Sequence, residues 1–362
     1  MKIGIDASQV IYETGVSVYT RNLVSNLLEF DKENDYLIFG GSLRRTNEIK
    51  TFISEIKSNR LSSYVYPLPP VLMNIIWNRL HILPIEKLIG KIDVFHSSDW
   101  TQPPTKAYKI TTIHDLTFLK YPKLTPPKTL SAQRSRLRWV IKEVDKIIVP
   151  SKMIEREILN LGVEKERVRV IPEASDNIFR KQSESKIAKL KSKYRISGDY
   201  ILAVGVNPRK NVERIIQAYE KIKADTKLRL VIVGHPYYRV ETGRGIIFTG
   251  HVDKDEMPTF YSGSKVLVFP SLYEGFGLPI LEAFACKTPV VTSNIGSMAE
   301  VAGNAAVLVN PFDIGSISQG ILKALSEKVN LIKRGSIHSK NFSWELTARE
   351  TVKIYNEFNK KL

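Results

Sequence analysis

The 362-residue chain contains a single cysteine, Cys286, which rules out an intrachain disulfide and a cysteine-based zinc cluster and fits a reducing compartment. Its six histidines form neither an H-E-x-x-H pattern nor a cluster, so no metal site is expected. No G-x-G-x-x-G follows the first strand-like segment and no G-x-x-x-x-G-K-[ST] occurs, which takes support from dinucleotide oxidoreductases and P-loop enzymes. There is no run of about twenty apolar residues to span a bilayer. The nearest, Val71 to Ile85, is broken by Asn74, Asn78, Arg79, His81 and Pro84, and is expected to lie on a membrane rather than cross one. The opening Met1-Lys2-Ile3-Gly4-Ile5-Asp6 reads as a β-strand entering a loop, so no signal peptide is expected. Acidic residues are scarce as well: 37 against 54 basic ones, a net charge of +17.

What is present describes a folded protein of more than one domain. Apolar residues make up 43% and charged residues 25%, and the length exceeds one ordinary core. Short β-branched runs alternate with amphipathic stretches. Strands are expected at 2–5, 36–39, 94–96, 110–113, 146–149 and 168–171, and again at 200–204, 228–233, 245–249, 266–269, 290–292 and 306–309. Helices are expected between them, as at 18–28, 151–161, 212–223 and 279–286. Apolar strands alternating with helices imply parallel sheets covered on both faces, with ligands outside the carboxyl ends of the strands. The polar stretch 172–199 separates the two series, placing a boundary near Pro172–Arg180.

The positive charge is uneven. Residues 101–150 hold ten basic and three acidic residues, and Lys128, Arg134, Arg136, Arg138 and Lys142 recur there at helical spacing around Trp139. Such a face suits an anionic membrane surface or a phosphorylated acceptor, or it serves as a solvated helix face. Nucleic acid is not expected, because no nucleic-acid-binding motif accompanies the charge.

Four stretches carry candidate chemistry. In Pro270 to Ala283 an apolar strand ends in a loop, Glu274-Gly275-Phe276-Gly277-Leu278, that opens into a helix beginning at Pro279. Glycines and a helix N-terminus suit a diphosphate or polyol, with Glu274 accepting from sugar hydroxyls and Glu282 from a ribose diol. In Gly205 to Asn211, Arg209 and Lys210 stand at a helix start where they oppose its dipole, a conflict that a bound anion would resolve. His114-Asp115, after a strand of the first series, is placed to orient a hydroxyl or hold a phosphate. Gly15-Val16-Ser17, before a helix, suits a loop facing an acceptor or phosphate. Asp253-Lys254-Asp255, the only D-x-D, is taken as a helix cap and not a metal site.

These residues resemble the retaining glycosyltransferases of family 4, the "glycosyl transferases group 1" type with the GT-B fold, over nearly the whole chain. The E-G-F-G-L-P block with Glu282 eight positions after Glu274, Arg209-Lys210-Asn211, His114-Asp115, Ile171-Pro172 and Val290-Val291-Thr292-Ser293 carry the resemblance. It implies an α/β chain of two doubly wound Rossmann-like domains facing a cleft: 1–175 on the acceptor side, 176–342 binding the nucleotide sugar, and a terminal helix, 343–362, crossing back to the first. It further implies catalytic roles for His114, Asp115 and Glu274, and donor binding by Arg209, Lys210, Gly275, Phe276, Gly277, Leu278 and Glu282. Gly15 and Ser17 would form the acceptor-side loop. The activity implied is metal-independent transfer of a hexose from a GDP- or UDP-linked sugar, without a cofactor, to a glycan or lipid-linked acceptor.

The stretch His114 to Pro122 resembles members that use GDP-mannose, so mannose is favoured. The expected location is cytoplasmic, peripheral on the inner face of the cell membrane, in polysaccharide biosynthesis. A catalytically silent protein binding nucleotide sugar or anionic membrane is the alternative. Two departures stand out. Ser17 occupies a position where members often have a second glycine, and Lys287 stands where the helix after Glu282 often ends in glycine, which is expected to strain or reshape that C-cap.

Overall fold

The computed structural model describes residues 1–12, 14–235 and 244–360. The chain divides into two compact units, Met1–Glu173 with Ser343–Leu362, and Ala174–Phe342. These bounds lie within two residues of 175/176 and at 342/343.

The first unit holds a seven-stranded parallel sheet. Its strands are β1 (Lys2–Asp6), β2 (Asp35–Gly41), β3 (Leu61–Tyr66), β4 (Val94–Ser97), β5 (Tyr108–Thr112), β6 (Lys146–Val149) and β7 (Val168–Val170), in the order β3-β2-β1-β4-β5-β6-β7. β3 was not expected from the sequence. Its Leu-Ser-Ser-Tyr-Val-Tyr run is half exposed at the sheet edge and lacks the apolar continuity of the inner strands. The second unit's sheet consists of β8 (Tyr200–Val204), β9 (Arg229–Val233), β10 (Ile246–Phe248), β11 (Leu267–Phe269), β12 (Val290–Ser293) and β13 (Val307–Val309), in the order β10-β9-β8-β11-β12-β13.

Alternation along each strand divides the second sheet's side chains between two cores. Leu202, Val231, Leu267, Phe269 and Val290 belong to one, with the helix Leu278–Ala285. Ile201, Ala203, Leu230, Ile232, Val268 and Val291 belong to the other, with the helices Val212–Thr226 and Ile314–Ser326. Both faces are thus apolar, which is why these strands read as unbroken runs.

The terminal helix, Trp344–Tyr355, belongs to the first unit and packs along the helix Gly15–Phe30. Thr347 donates from Oγ1 to the Pro172 carbonyl at 2.8 Å, and Tyr355 Oη lies 2.8 Å from His96 Nδ1. Burial pulls the His96 pKa down to about 3, so this contact is made by a neutral imidazole.

The basic segment forms the helix Pro127–Glu143, but Arg136 is not part of its exposed face. It is 2% exposed and turns inward, bonding to the Ser98 carbonyl at 3.1 Å and Thr111 Oγ1 at 2.6 Å. Lys128, Arg134, Arg138 and Lys142 remain exposed. Against this helix packs the chain from Pro70 to Leu83. Trp77 is 1% exposed, in a core with Phe39 and Phe95, so it is not a surface anchor. Trp139 stacks on His81 at 3.7 Å and donates to the Asn78 carbonyl at 2.8 Å. Among the described residues no helix is long and apolar enough to cross a membrane. Asp253 precedes the 3-10 turn Lys254–Glu256 at the N-cap position but makes no side-chain cap bond, so that reading is half right.

Lys287 does not reshape the end of its helix. Its N–H bonds the Phe284 carbonyl at 3.0 Å and the Thr288 N–H bonds that of Ala283 at 2.8 Å, a complete Schellman closure, with Lys287 held at φ +58°. A left-handed residue with a Cβ costs about 1–2 kcal/mol, while glycine loses about 0.5–1 kcal/mol more chain entropy on folding. Lys287→Gly is therefore expected to stabilise the second unit by about 0.5–1 kcal/mol. Urea unfolding followed by circular dichroism checks this, with an unchanged or lower midpoint counting against it.

Candidate functional site

In the second unit the site is assembled at the carboxyl ends of β8 and β11. After β8 the chain turns at Gly205, whose φ is +83°; a Cβ there would come within 3.3 Å of the Lys210 side chain, so glycine leaves room for that lysine. A 3-10 turn, Pro208–Lys210, follows, with Asn207 accepting from the Arg209 N–H at 3.1 Å. Asn211, left-handed at φ +64°, begins the helix Val212–Thr226. It donates to the carbonyls of Pro270 at 3.0 Å and Pro311 at 2.6 Å, tying this turn to the loop after β11.

The tie brings three charges together. Arg209 Nη1 lies 2.7 Å from Glu274 Oε2, and Lys210 Nζ lies 2.7 Å from Glu274 Oε1. Arg209 also donates to the Tyr273 carbonyl at 3.1 Å, and Ser297 Oγ holds the Glu274 carbonyl at 2.7 Å. Burial alone would raise the Glu274 pKa, but Lys210 and Arg209 outweigh it and hold the carboxyl below its usual range. Burial lowers that of Lys210, with Glu274 opposing and Arg209 reinforcing. Glu274 thus neutralises one of the two charges that oppose the helix dipole. The cluster keeps one net positive charge beside a helix start, the arrangement that receives an anion.

Gly277, at φ +114°, is the N-cap of the helix Leu278–Ala285, which begins one residue before Pro279. Phe276 is buried and packs edge-on against Phe342, anchoring the loop from below. One turn into the helix, Glu282 accepts from Tyr261 Oη at 2.6 Å. Burial raises its pKa to about 7 against the lowering effect of Tyr261 and Lys254, so at neutral pH it is present both as acceptor and as donor.

In the first unit His114 follows β5. Its acidic partner is Glu173, whose Oε1 lies 2.8 Å from Nδ1, and not the adjacent Asp115. Asp115 instead accepts from the Thr117 N–H at 2.8 Å and starts the short helix Thr117–Lys120. Burial works against protonation of His114. The hydrogen bond and charge of Glu173, with Asp99 and Asp115, overcome it and raise the pKa. Tyr19 packs edge-on at 4.5 Å and fixes the ring. Glu173 escaped the sequence reading; the available signal was a carboxylate two residues past the expected strand 168–171, just after Ile171-Pro172.

The pair at Gly15 and Ser17 separates. Ser17 is buried and donates to the Val10 carbonyl at 3.0 Å, so its hydroxyl does not line a loop. Gly15 is exposed at the helix start, with no atom within 4 Å of where a Cβ would stand.

Glu173→Gln is expected to lower the His114 titration, since the hydrogen bond and charge that raise it most would be lost while burial remains. A raised folded pKa contributes stability that is full below about pH 6.5 and is lost as pH rises through the folded value. The variant is therefore expected to lose stability chiefly on the acid side. Histidine NMR titration, with unfolding measured at several pH values, checks both; an unmoved His114 midpoint overturns the pairing.

Residues 14–176 match the model described as Glycosyltransferase Family 4, and residues 186–341 that of Glycosyl transferases group 1. The O-antigen chain mannosyltransferase B of Escherichia coli is 29% identical over 280 residues, which cover 72% of this chain and 74% of that protein. The serotype-specific mannosyltransferase WbdA of Escherichia coli is 36% identical over 184 residues, 46% of this chain but 23% of WbdA's length. Sucrose-phosphate synthase from Thermosynechococcus elongatus superposes with a TM-score of 0.73 at 19% identity, covering 100% of both chains, a likeness of fold alone. With a family model on each half and two Rossmann-like units of the GT-B fold, this chain belongs to the family 4 glycosyltransferases.

Proposed function

We propose that this glycosyltransferase moves a hexose, with mannose favoured, from a GDP- or UDP-linked donor to a hydroxyl of a glycan or lipid-linked acceptor, with retention at the anomeric carbon and without a metal or cofactor. The observation that carries the reading is the Arg209–Lys210–Glu274 cluster at the carboxyl ends of β8 and β11. Arg209 and Lys210 hold the diphosphate. The backbone of Gly275 to Leu278 adds donors, and Glu282 takes the ribose diol. Glu274, already fixed by two cations, presents its remaining acceptor capacity to sugar hydroxyls.

The anomeric bond to the diphosphate breaks as the acceptor oxygen bonds to that carbon from the same face. The acceptor's proton leaves with the departing phosphate. Arg209 and Lys210 stabilise the charge that develops there. His114, held by Glu173 on Nδ1, offers Nε2 to the transferred sugar, while Asp115 acts by shaping the turn beneath it. The mannosyltransferase relatives support mannose as the sugar.

The first unit is proposed to rest on the inner face of the cell membrane, in the cytoplasm. Val71, Leu72, Ile75, Leu80, Ile82 and Leu83 are exposed, and Arg79 reaches Ser131 on the neighbouring basic helix at 3.4 Å, so apolar and cationic surface adjoin. Trp77 and Trp139 are committed to packing and take no part.

Arg209→Ala and Lys210→Ala are each expected to weaken GDP or UDP binding by about 1.5–3 kcal/mol, read by titration calorimetry. Turnover of labelled GDP-mannose is expected to persist in EDTA and to fail in Glu274→Gln. Nucleotide binding without turnover toward any acceptor would favour the silent binder instead.

Sedimentation with liposomes is expected to show binding to anionic but not neutral vesicles. Salt should reverse it, because the attraction is screened over about 8 Å at physiological ionic strength. Equal pelleting with both kinds of vesicle, or with neither, overturns the membrane reading.

A further inference from the structure

The first unit contains a cavity of about 450 Å³ at the carboxyl ends of β1, β2 and β4. The donor-site residues discussed above do not line it, while Asp99, one of the charges that raise the His114 pKa, does. Its position is the one where doubly wound sheets receive ligands, and its size falls within the range of small-molecule sites. Phe39, Met73 and Trp77, all buried, form an apolar floor. Tyr12 and Trp100 stand at the wall with 39% and 41% of their surface exposed. Trp100 is held by its backbone on both sides: its N–H donates to Ser98 Oγ at 3.3 Å and its carbonyl accepts from Asn78 at 2.8 Å. A tryptophan whose backbone is held in this way while its ring stays partly exposed offers a platform for a flat apolar surface.

The polar part of the wall is unusual for a chain of net charge +17. It includes two carboxylates, Asp6 and Asp99, and no described lysine, arginine or histidine. Asp6 is occupied by Ser8 and by Thr101 Oγ1 at 3.1 Å, and Asp99 meets the buried Arg136 at 3.3 Å from behind. Between them Gln9, 3% exposed, has a side-chain amide nitrogen with no hydrogen-bond partner. A buried N–H₂ without an acceptor is costly, and a ligand hydroxyl would satisfy it.

We propose that this cavity binds the acceptor through an uncharged sugar ring, its apolar face on Trp100 and Tyr12 and a hydroxyl oxygen on the Gln9 amide, and that it rejects sugar phosphates. The identification of the occupant as the acceptor rests on the transferase reading above. The choice of neutral over phosphorylated sugar rests on the wall itself, where a phosphate dianion would face two carboxylates and no lining cation; the neighbouring guanidiniums are committed elsewhere, Arg136 to Asp99 and Arg45 over the Tyr12 ring at 5.9 Å. Cationic surface lies on the outside of the same unit, so the phosphorylated acceptor suggested by the basic helix is a reading of a different face.

The test uses the full chain and methyl α-glycosides of mannose, glucose, galactose and N-acetylglucosamine, each paired with the 6-phosphate of the same sugar. Saturation-transfer NMR and tryptophan fluorescence read binding. At least one neutral glycoside is expected to bind saturably, roughly tenfold or more tighter than its phosphate. That binding should weaken at least about fivefold in Trp100→Ala and in Gln9→Leu. Trp100→Ala removes a half-exposed ring and is expected to keep the wild-type unfolding midpoint, so loss of binding there is not loss of fold. A phosphate that binds as tightly as its glycoside overturns the proposal, as does neutral binding undiminished in Trp100→Ala, or no neutral binding at tens of millimolar. Calorimetry with GDP and UDP on the same preparations keeps the two readings apart. Lost nucleotide binding strikes at the transferase donor site, whereas intact nucleotide binding with the wrong sugar preference strikes only at this cavity.

Discussion

A parallel sheet buried on both faces has no side chains to spare. In the second unit Ile201 and Ala203 belong to one core and Leu202 to the other, and the same division runs through β9, β11 and β12. Most inner-strand positions are committed to excluding water, so the charged groups of the site are gathered at the turns where strands end. There the backbone leaves the ladder and helix starts offer unsatisfied N–H groups. Arg209, Lys210, Glu274, His114 and Glu173 all lie within a few residues of a strand's carboxyl end. The cavity beneath Trp100 opens at the ends of three further strands.

Charge at those turns is balanced locally. Glu274 divides its two oxygens between Arg209 and Lys210, leaving a cluster with one net positive charge fixed before any ligand arrives. Removing Glu274 would leave two cations side by side without a counter-charge, an expensive state, whereas loss of Arg209 or Lys210 would leave a neutral pair. His114 and Glu173 form a smaller version of the same arrangement. The basic excess of residues 101–150 is distributed by the same rule. Arg136 turns inward to carbonyls, hydroxyls and Asp99, while the neighbours without such partners stay in solvent.

The terminal helix shows how distant parts of the chain become one site support. Trp344 packs edge-on against Tyr19 at 5.8 Å, and Tyr19 against His114 at 4.5 Å. Tyr19 Oη meets Thr112 Oγ1 at 3.1 Å, and Thr112 meets His96 Nε2 at 2.9 Å, which closes back on Tyr355. The orientation of a loop histidine near residue 114 thus depends on a helix more than two hundred residues later.

Much of this was legible in order of residues alone. Apolar runs of strand length, glycines and a proline before a helix, and the spacing of Glu274 and Glu282 depend on local conformation, which a linear pattern records. Twelve strands could be found that way; β3 could not, because an edge strand with one exposed face loses the apolar signal. The partners of charged groups were a different matter. That Glu173 and not Asp115 serves His114, that Glu274 lies between Arg209 and Lys210, that Arg136 is buried and Ser17 faces Val10, and that Gln9 is left with an orphan amide beside an acidic cavity were all decided by tertiary structure. Hydrogen bonds and ion pairs act over about 3 Å in space, and chain separation carries no information about which groups folding brings to that distance.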